Sequence, residues 1–247
     1  KDMGYDSEVV VTRNCVNNVA YMKKNTGRPG VFLRDTGRYV KDEQKKCHVE
    51  INDDSFVSVF YNRNQTMCIR ADEPANSIPE FLQGKKKVNI GNTASLINGI
   101  YDNLSNTTGI NFNRVDFGGS KKTLKGLIAG DVDMIYTGFT KREIGAKQVK
   151  CLAVSSPKEV GGRQPLSQVF PNWHLNKTGT LKYWHAVNVP ADQRATLKAE
   201  LDKLFDHPKV SAYLAKAFMI PGNEIQNQQK AFWDIVRVIT GNKLASK

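Results

Sequence analysis

The spacing of apolar residues between about residues 85 and 155 alternates between the two-residue period of strands and the three- to four-residue period of helices. Three short segments with apolar residues at alternate positions are predicted to be strands: 88–90, 113–117 and 132–136. Two sets of apolar residues recur on one helical face: Leu96, Ile97, Ile100, Tyr101 and Leu104, then Leu124, Leu127 and Ile128. Because helical crossovers of this length join parallel strands, the pattern predicts an α/β fold.

The remainder of the chain adds strands near its beginning and helices near its end. Ser55 to Tyr61 is an apolar run of strand length, and helical periodicity returns over 190–205 and around Phe232 to Ile239. No apolar stretch approaches the ~18–20 residues that a membrane span needs. The chain starts at Lys1 without a secretory-signal pattern, so we expect a processed or truncated product.

Charge adds a preference for anions but does not identify a partner. The 247 residues carry a formal charge of +12 and are 40% hydrophobic, which is typical of a globular domain. The lysines are dispersed, and the densest run is Lys85 to Lys87. Without an RNA-binding signature beside them, we expect no specific nucleic-acid partner.

Motifs for catalysis and for cofactors are absent from the sequence. There is no nucleophile elbow, phosphate loop, dinucleotide fingerprint or zinc-protease motif, and the four histidines are scattered. We therefore expect no enzyme, no cofactor and no metal site.

Cysteine usage predicts at most one disulfide. Cys15, Cys47, Cys68 and Cys151 lie far apart, without the spacing of a metal site. Cys151 sits in the apolar run 150–154, which favours a buried free thiol.

Small polar turns follow three of the predicted strands, where open α/β sheets bind ligands. Backbone N–H groups at the start of a helix, with nearby hydroxyls, suit a carboxylate. We expect the first turn to hold the carboxylate through Gly91, Asn92, Thr93, Ala94 and Ser95. In the second turn, Gly118 and Gly119 would allow close approach of the backbone to the ligand. In the third, Thr137 would add a polar contact. Ordinary capping turns remain the alternative.

These turns lie within a longer resemblance to a family. The chain resembles the solute receptors of tripartite tricarboxylate transporters, the Bug-type periplasmic binding proteins. The motifs that carry the resemblance have the order and spacing of that family and lie at 115–119, 129–134, 152–156, 183–191 and 206–214. The likeness covers residues 55 to 222.

The resemblance implies a two-lobed periplasmic-binding-protein-like fold, each lobe a mainly parallel sheet flanked by helices. Lobe one would combine residues 1–62 with 183–247, and lobe two would span 63–182. The family's opening strand-loop-helix unit has no counterpart here, so we expect an incomplete first lobe.

The resemblance also implies a function. A small di- or tricarboxylate-like anion would bind between the lobes, with Arg13 as a charge partner from the opposite lobe. The protein would be periplasmic, and membrane transporter subunits would read its closure. The alternative is a structural or assembly component of a larger particle that reuses this fold.

Overall fold

Two β-sheets with helices against their faces make up the part of the chain that the computed structural model describes: residues 10–11, 15–25, 27–36, 55–92, 98–117, 119–138, 147–173 and 179–240. The strands are β1 Gly30–Asp35, β2 Phe56–Arg63, β3 Gln65–Arg70, β4 Lys87–Asn92, β5 Asn111–Asp116, β6 Met134–Gly138, β7 Val149–Val154, β8 Gln164–Pro165, β9 Thr180–Val187 and β10 Ile220–Pro221. The helices are α1 Cys15–Lys24, α2 Ile78–Leu82, α3 Asn98–Thr108, α4 Ser120–Ala129, α5 Leu166–Val169, α6 Ala191–Asp202, α7 Pro208–Lys216 and α8 Gln228–Thr240. The predicted α/β fold is confirmed.

The larger sheet has six described strands in the order β5-β4-β6-β3-β7-β8. β4 is parallel to β5 and β6, and β7 is parallel to β8, whereas β3 is antiparallel to both of its neighbours. The strands β4 to β8 therefore all end at one edge of the sheet, and β3 begins there. This shared edge is the place where open α/β sheets bind ligands.

The smaller sheet has the described order β1-β9-β2-β10, and its pairings are antiparallel. This differs from the expectation of a mainly parallel sheet in each lobe. The reason lies in the path of the chain, since β2 leads directly through Asn64 into β3, whereas β9 begins after the six-stranded sheet is complete. Two neighbouring strands that connect the same two sheets in opposite directions must be antiparallel.

Local signals in the sequence explain where two of the helices begin or end. The Ser77 hydroxyl accepts a hydrogen bond from the Glu80 N–H at 3.2 Å, and the Glu80 carboxylate accepts one from the Asn76 N–H at 2.7 Å. This capping box starts α2. Gly130 ends α4 in the left-handed conformation, with φ of 82°, where its N–H donates to the carbonyls of the last turn.

Each face of the six-stranded sheet carries its own hydrophobic cluster. On one face, Ile90 of β4 packs with Tyr101 and Leu104 of α3. On the other, Leu124 and Leu127 of α4 pack against residues of β3, β6 and β7. Because both faces are covered, a ligand would contact this sheet at an edge, and open α/β sheets bind ligands at the carboxyl edge.

A disulfide joins Cys68 of β3 to Cys151 of β7, which corrects the expectation of a free thiol at Cys151. The two cysteines are directly paired in the antiparallel register of these neighbouring strands, although 83 residues separate them in the chain. Burial of Cys151 was anticipated, but the strand order that places Cys68 beside it was not. Cys47 and the side chain of Cys15 lie outside the described residues. None of the helices described is long and apolar enough to cross a membrane.

Candidate functional site

The carboxyl edge of the six-stranded sheet brings together the ends of the strands that the sequence marked. Asn92 ends β4, Asp116 ends β5 and Gly138 ends β6, while Gln65 starts β3 at the same edge. Asn92 is paired with Asp116 on one side and with Tyr136 on the other. The polar residues at these strand ends are therefore neighbours, as the alternating pattern predicted.

The Asn92 side chain is fully buried and connects two other polar groups. Its Nδ2 donates to Asp116 Oδ1 at 3.0 Å, and its Oδ1 accepts from the Tyr101 hydroxyl at 3.3 Å. Burial raises the pKa of Tyr101, so this phenol remains a protonated donor. The Asn92 carboxamide thus ties β4 to β5 and α3, a structural role in addition to the backbone role predicted for it.

Asp116 is held ionised next to this network. Burial alone raises the pKa of Asp116, but hydrogen bonds from Arg114 and Asn92, together with the Arg114 charge, outweigh it and lower the pKa below its usual value. Arg114 Nε donates to Asp116 Oδ1 at 2.8 Å. The two side chains neutralise each other, so this end of the edge carries little net charge.

Gly91 lies within β4 and not in the turn after it, because the strand continues to Asn92. At this position the strand packs against α4. A Cβ at Gly91 would lie 3.0 Å from Cγ2 of Ile135 and of Thr123. The Thr123 hydroxyl is within hydrogen-bond distance of two backbone carbonyls, those of Asn92 and Gly119, each at 3.1 Å, and it can donate to either one. The absence of a side chain at Gly91 therefore has a packing reason, and its ligand contact stays a prediction.

Two further predicted residues flank the start of α4 and the end of β6. Gly119 is the N-cap of α4, and no side chain caps the free N–H groups there. Thr137 is fully buried in β6, and its Oγ1 has no hydrogen-bond partner in the described part of the chain. Its backbone carbonyl accepts from the Thr66 hydroxyl at 3.2 Å. The first turn of α4 thus lacks a side-chain cap, and the buried Thr137 hydroxyl lacks a partner among the described residues.

The other predicted site residues lie outside the described residues: Arg13, Thr93, Ala94, Ser95 and Gly118. The expected ligand contacts of these five remain predictions.

Buried hydrogen bonds fix the junction between the two sheets. The Gln65 N–H donates to Ser155 Oγ at 2.8 Å, and the Ser155 N–H donates back to the Gln65 carbonyl at 2.8 Å. Gln65 Nε2 reaches Thr180 Oγ1 at 3.4 Å, where β9 begins. The Asn64 side chain donates to the Phe218 carbonyl at 2.8 Å. The carboxyl edge thus adjoins the segments that connect the sheets.

Arg63 is the candidate site residue that the sequence analysis missed. It ends β2, and its guanidinium lies against Gly138 at the end of β6. The side chain is partly buried and has no ion pair among the described residues. The only signal in the sequence was its position just after the predicted strand 55–61, which does not reveal its proximity to β6.

The described segments contain no group of three or more histidine, cysteine or acidic side chains placed to hold an ion. The polar groups at the edge are amide, hydroxyl and guanidinium donors together with one neutralised carboxylate, a set that suits an anion better than a cation.

Comparisons with known proteins define the class of fold. An R. palustris protein solved with adipate matches with a TM-score of 0.68 at 16% identity, over 92% of this chain and 83% of that one. The periplasmic binding protein BugD gives 0.64 at 15% identity, over 90% and 80%. A TctC solute-binding protein from Polaromonas gives 0.61 at 20% identity, over 87% and 78%. The chain has the fold of TctC- and Bug-type periplasmic solute-binding proteins.

Sequence comparison adds no closer identification, because no protein-family model and no curated protein matches the chain. The resemblance noted in the sequence is thereby confirmed at the level of the fold.

Proposed function

We propose that this protein is a non-catalytic solute-binding protein that captures a small organic dicarboxylate or tricarboxylate. The carrying observation is the fold match over 92% of the chain to a protein solved with adipate. A second structure of this fold, MatC from Rhodopseudomonas palustris, contains malate and matches with a TM-score of 0.60 at 15% identity. Both ligands are dicarboxylates, and the edge described above offers donors for such anions.

The ligand would bind between two lobes, one built from residues 1–62 plus 183–247 and the other from 63–182. The two sheets support this division, since β1, β2, β9 and β10 form one sheet and β3 to β8 form the other. In this arrangement the carboxyl edge of the larger sheet faces the interlobe junction at Gln65 and Thr180. Gly91 to Ser95, Gly118, Gly119 and Thr137 would bind from one lobe and Arg13 from the other.

The protein would act in the periplasm and deliver its ligand to the membrane subunits of a tripartite tricarboxylate-type transporter. The Cys68–Cys151 disulfide supports an oxidising compartment, because such bonds are rare where thiols are kept reduced. The structures of the same fold that are called periplasmic point in the same direction.

A thermal-unfolding screen tests the proposed function. The full chain is heated with succinate, malate, glutarate, adipate or citrate, and with acetate and the neutral diamide of adipate as controls. A dicarboxylate or tricarboxylate at 100 times its dissociation constant should add ~2.7 kcal/mol to the free energy of unfolding. If no acid in the panel raises the midpoint and the chain self-associates stably, the assembly alternative replaces the transport proposal.

A further inference from the structure

The backbone of Arg63 is held against the beginning of β9. This residue ends β2 and is paired with Thr180 at the beginning of β9. Gly179 comes directly before Thr180, and a Cβ on this glycine would overlap the Arg63 carbonyl group. The backbones of Gly179 and Arg63 are therefore in close contact. The side chain therefore starts from a rigid point at the junction of the two sheets.

From this point the side chain reaches the carboxyl edge of the larger sheet. A Cβ on Gly138 would lie 2.5 Å from Arg63 Nε and 2.6 Å from its Cζ, so the guanidinium rests directly on the glycine backbone. Gly138 is the last residue of β6 and is itself buried. Glycine at this position leaves the space that the guanidinium occupies.

The charge of Arg63 is not balanced within the described residues. Other arginines have carboxylate partners: Arg70 contacts Asp72 and Glu73, and Arg114 contacts Asp116. No ion pair or hydrogen bond of the Arg63 guanidinium occurs in the described segments, although the side chain is partly buried. Removing a charged group from water without an acceptor is unfavourable, so an external anion would offset this cost.

The chemistry of the group selects the anion. A guanidinium presents N–H donors in a planar fork that matches the two oxygens of a carboxylate. We propose that Arg63 binds one carboxylate of a dicarboxylate ligand, while the uncharged groups at the start of α4 and at the end of β6 hold the other. This inference rests on the proposed function, and it deepens that function by assigning the residue that selects a second negative charge.

Binding measurements on the full chain test this assignment. We would titrate wild type, Arg63→Gln and Arg63→Lys calorimetrically with malate, with adipate and with adipate monoamide. Wild type should bind adipate at least about tenfold more tightly than the monoamide, because only the diacid supplies a carboxylate to each end of the site. Arg63→Gln should weaken adipate binding about 10- to 100-fold and abolish the preference over the monoamide. Arg63→Lys should fall between the two, since it keeps the charge but loses the fork.

The matched control is Arg237→Gln, which removes an exposed arginine from α8 that pairs with Asp234 at 3.1 Å. It should leave both affinities unchanged. Unfolding curves without ligand establish that each variant is folded. As a second route, Gly138→Ala keeps the arginine but displaces its guanidinium, and it should weaken adipate more than monoamide.

The outcomes separate the two claims. If wild type binds adipate or malate and folded Arg63→Gln binds them equally well, the assignment of Arg63 is wrong and the proposed function stands. If wild type binds neither these acids nor any other in the thermal panel, both claims fail. If Arg63→Gln weakens the monoamide as much as the diacid, Arg63 does not select the second charge and the inference is overturned.

Discussion

Cys68 and Cys151 form a disulfide between two neighbouring antiparallel strands in the six-stranded sheet. Cys68 is fully buried and Cys151 nearly so, within the hydrophobic cluster beneath α4. The bond therefore links β3 to β7 on the face of the sheet that α4 covers. Both strands reach the carboxyl edge that forms the candidate site.

Replacing both cysteines, Cys68→Ala with Cys151→Ala, should lower the free energy of unfolding. The bond closes a loop of 83 residues, and disulfides of native proteins contribute typically ~2–4 kcal/mol. Denaturant unfolding of the variant and of wild type measures the difference. Peptide mapping without reductant provides the direct control, since both thiols reacting freely with an alkylating agent would contradict the disulfide.

Gly91→Ala should destabilise the protein by about 1–3 kcal/mol, because the added methyl group overfills the contact between β4 and α4. The methyl would lie 3.0 Å from side-chain atoms of Ile135 and Thr123. Gly119→Ser is the matched control, because a Cβ at that N-cap meets nothing within 4 Å and serine is a favourable cap. Chemical unfolding should show loss of stability only for Gly91→Ala. Equal stability of both variants would contradict close packing at Gly91.

The Tyr101–Asn92 hydrogen bond should be measurable as a coupling energy. We expect Tyr101→Phe and Asn92→Ala to be less destabilising together than the sum of their separate effects, by ~0.5–1.5 kcal/mol. The reason is that either change alone removes the bond. A double-mutant cycle from unfolding curves measures this quantity, and strict additivity would show that the two side chains do not interact.

His185 should make the stability depend on pH. Burial, with a smaller contribution from the Arg34 charge, lowers the pKa of His185 to about 4 from the ordinary 6.5. The unfolded chain therefore binds a proton at a pH where the folded chain does not, and stability falls as the pH decreases from 6.5 towards 4.

The fall attributable to this group is at most about 3 kcal/mol. Unfolding curves of wild type and His185→Gln, measured between pH 7 and pH 4, isolate it from the carboxylates that titrate in the same range. Parallel pH profiles for the two proteins would show that His185 is not buried in its neutral form.

The sequence pattern was sufficient for those parts of the fold that depend on local periodicity. The run from β4 to β6 could be predicted because helical and strand periods alternate there without interruption. The capping box at Ser77 and the left-handed cap at Gly130 were equally readable, since each depends on residues within one helical turn.

Features that depend on strand order were not accessible in this way. Cys68 meets Cys151 only because β3 lies between β6 and β7, and Arg63 meets Gly138 for the same reason. The pattern also placed Gly91 in a turn, because glycine favours turns, whereas close packing of α4 requires it within the strand. Side-chain networks such as that of Asn92 follow from strand register, which one sequence does not specify.

The central claim is that a carboxylate ligand binds at the edge where β4, β5 and β6 end and the two sheets meet. Hydrogen–deuterium exchange of the full chain, with and without saturating adipate or malate, tests this claim most directly. We predict slower exchange at the start of α4, at the ends of β4 and β6, and at the junction around Gln65 and Thr180, with little change in α7 and α8. Unchanged exchange at this edge despite measured binding, or protection confined to α7 and α8, would contradict the account.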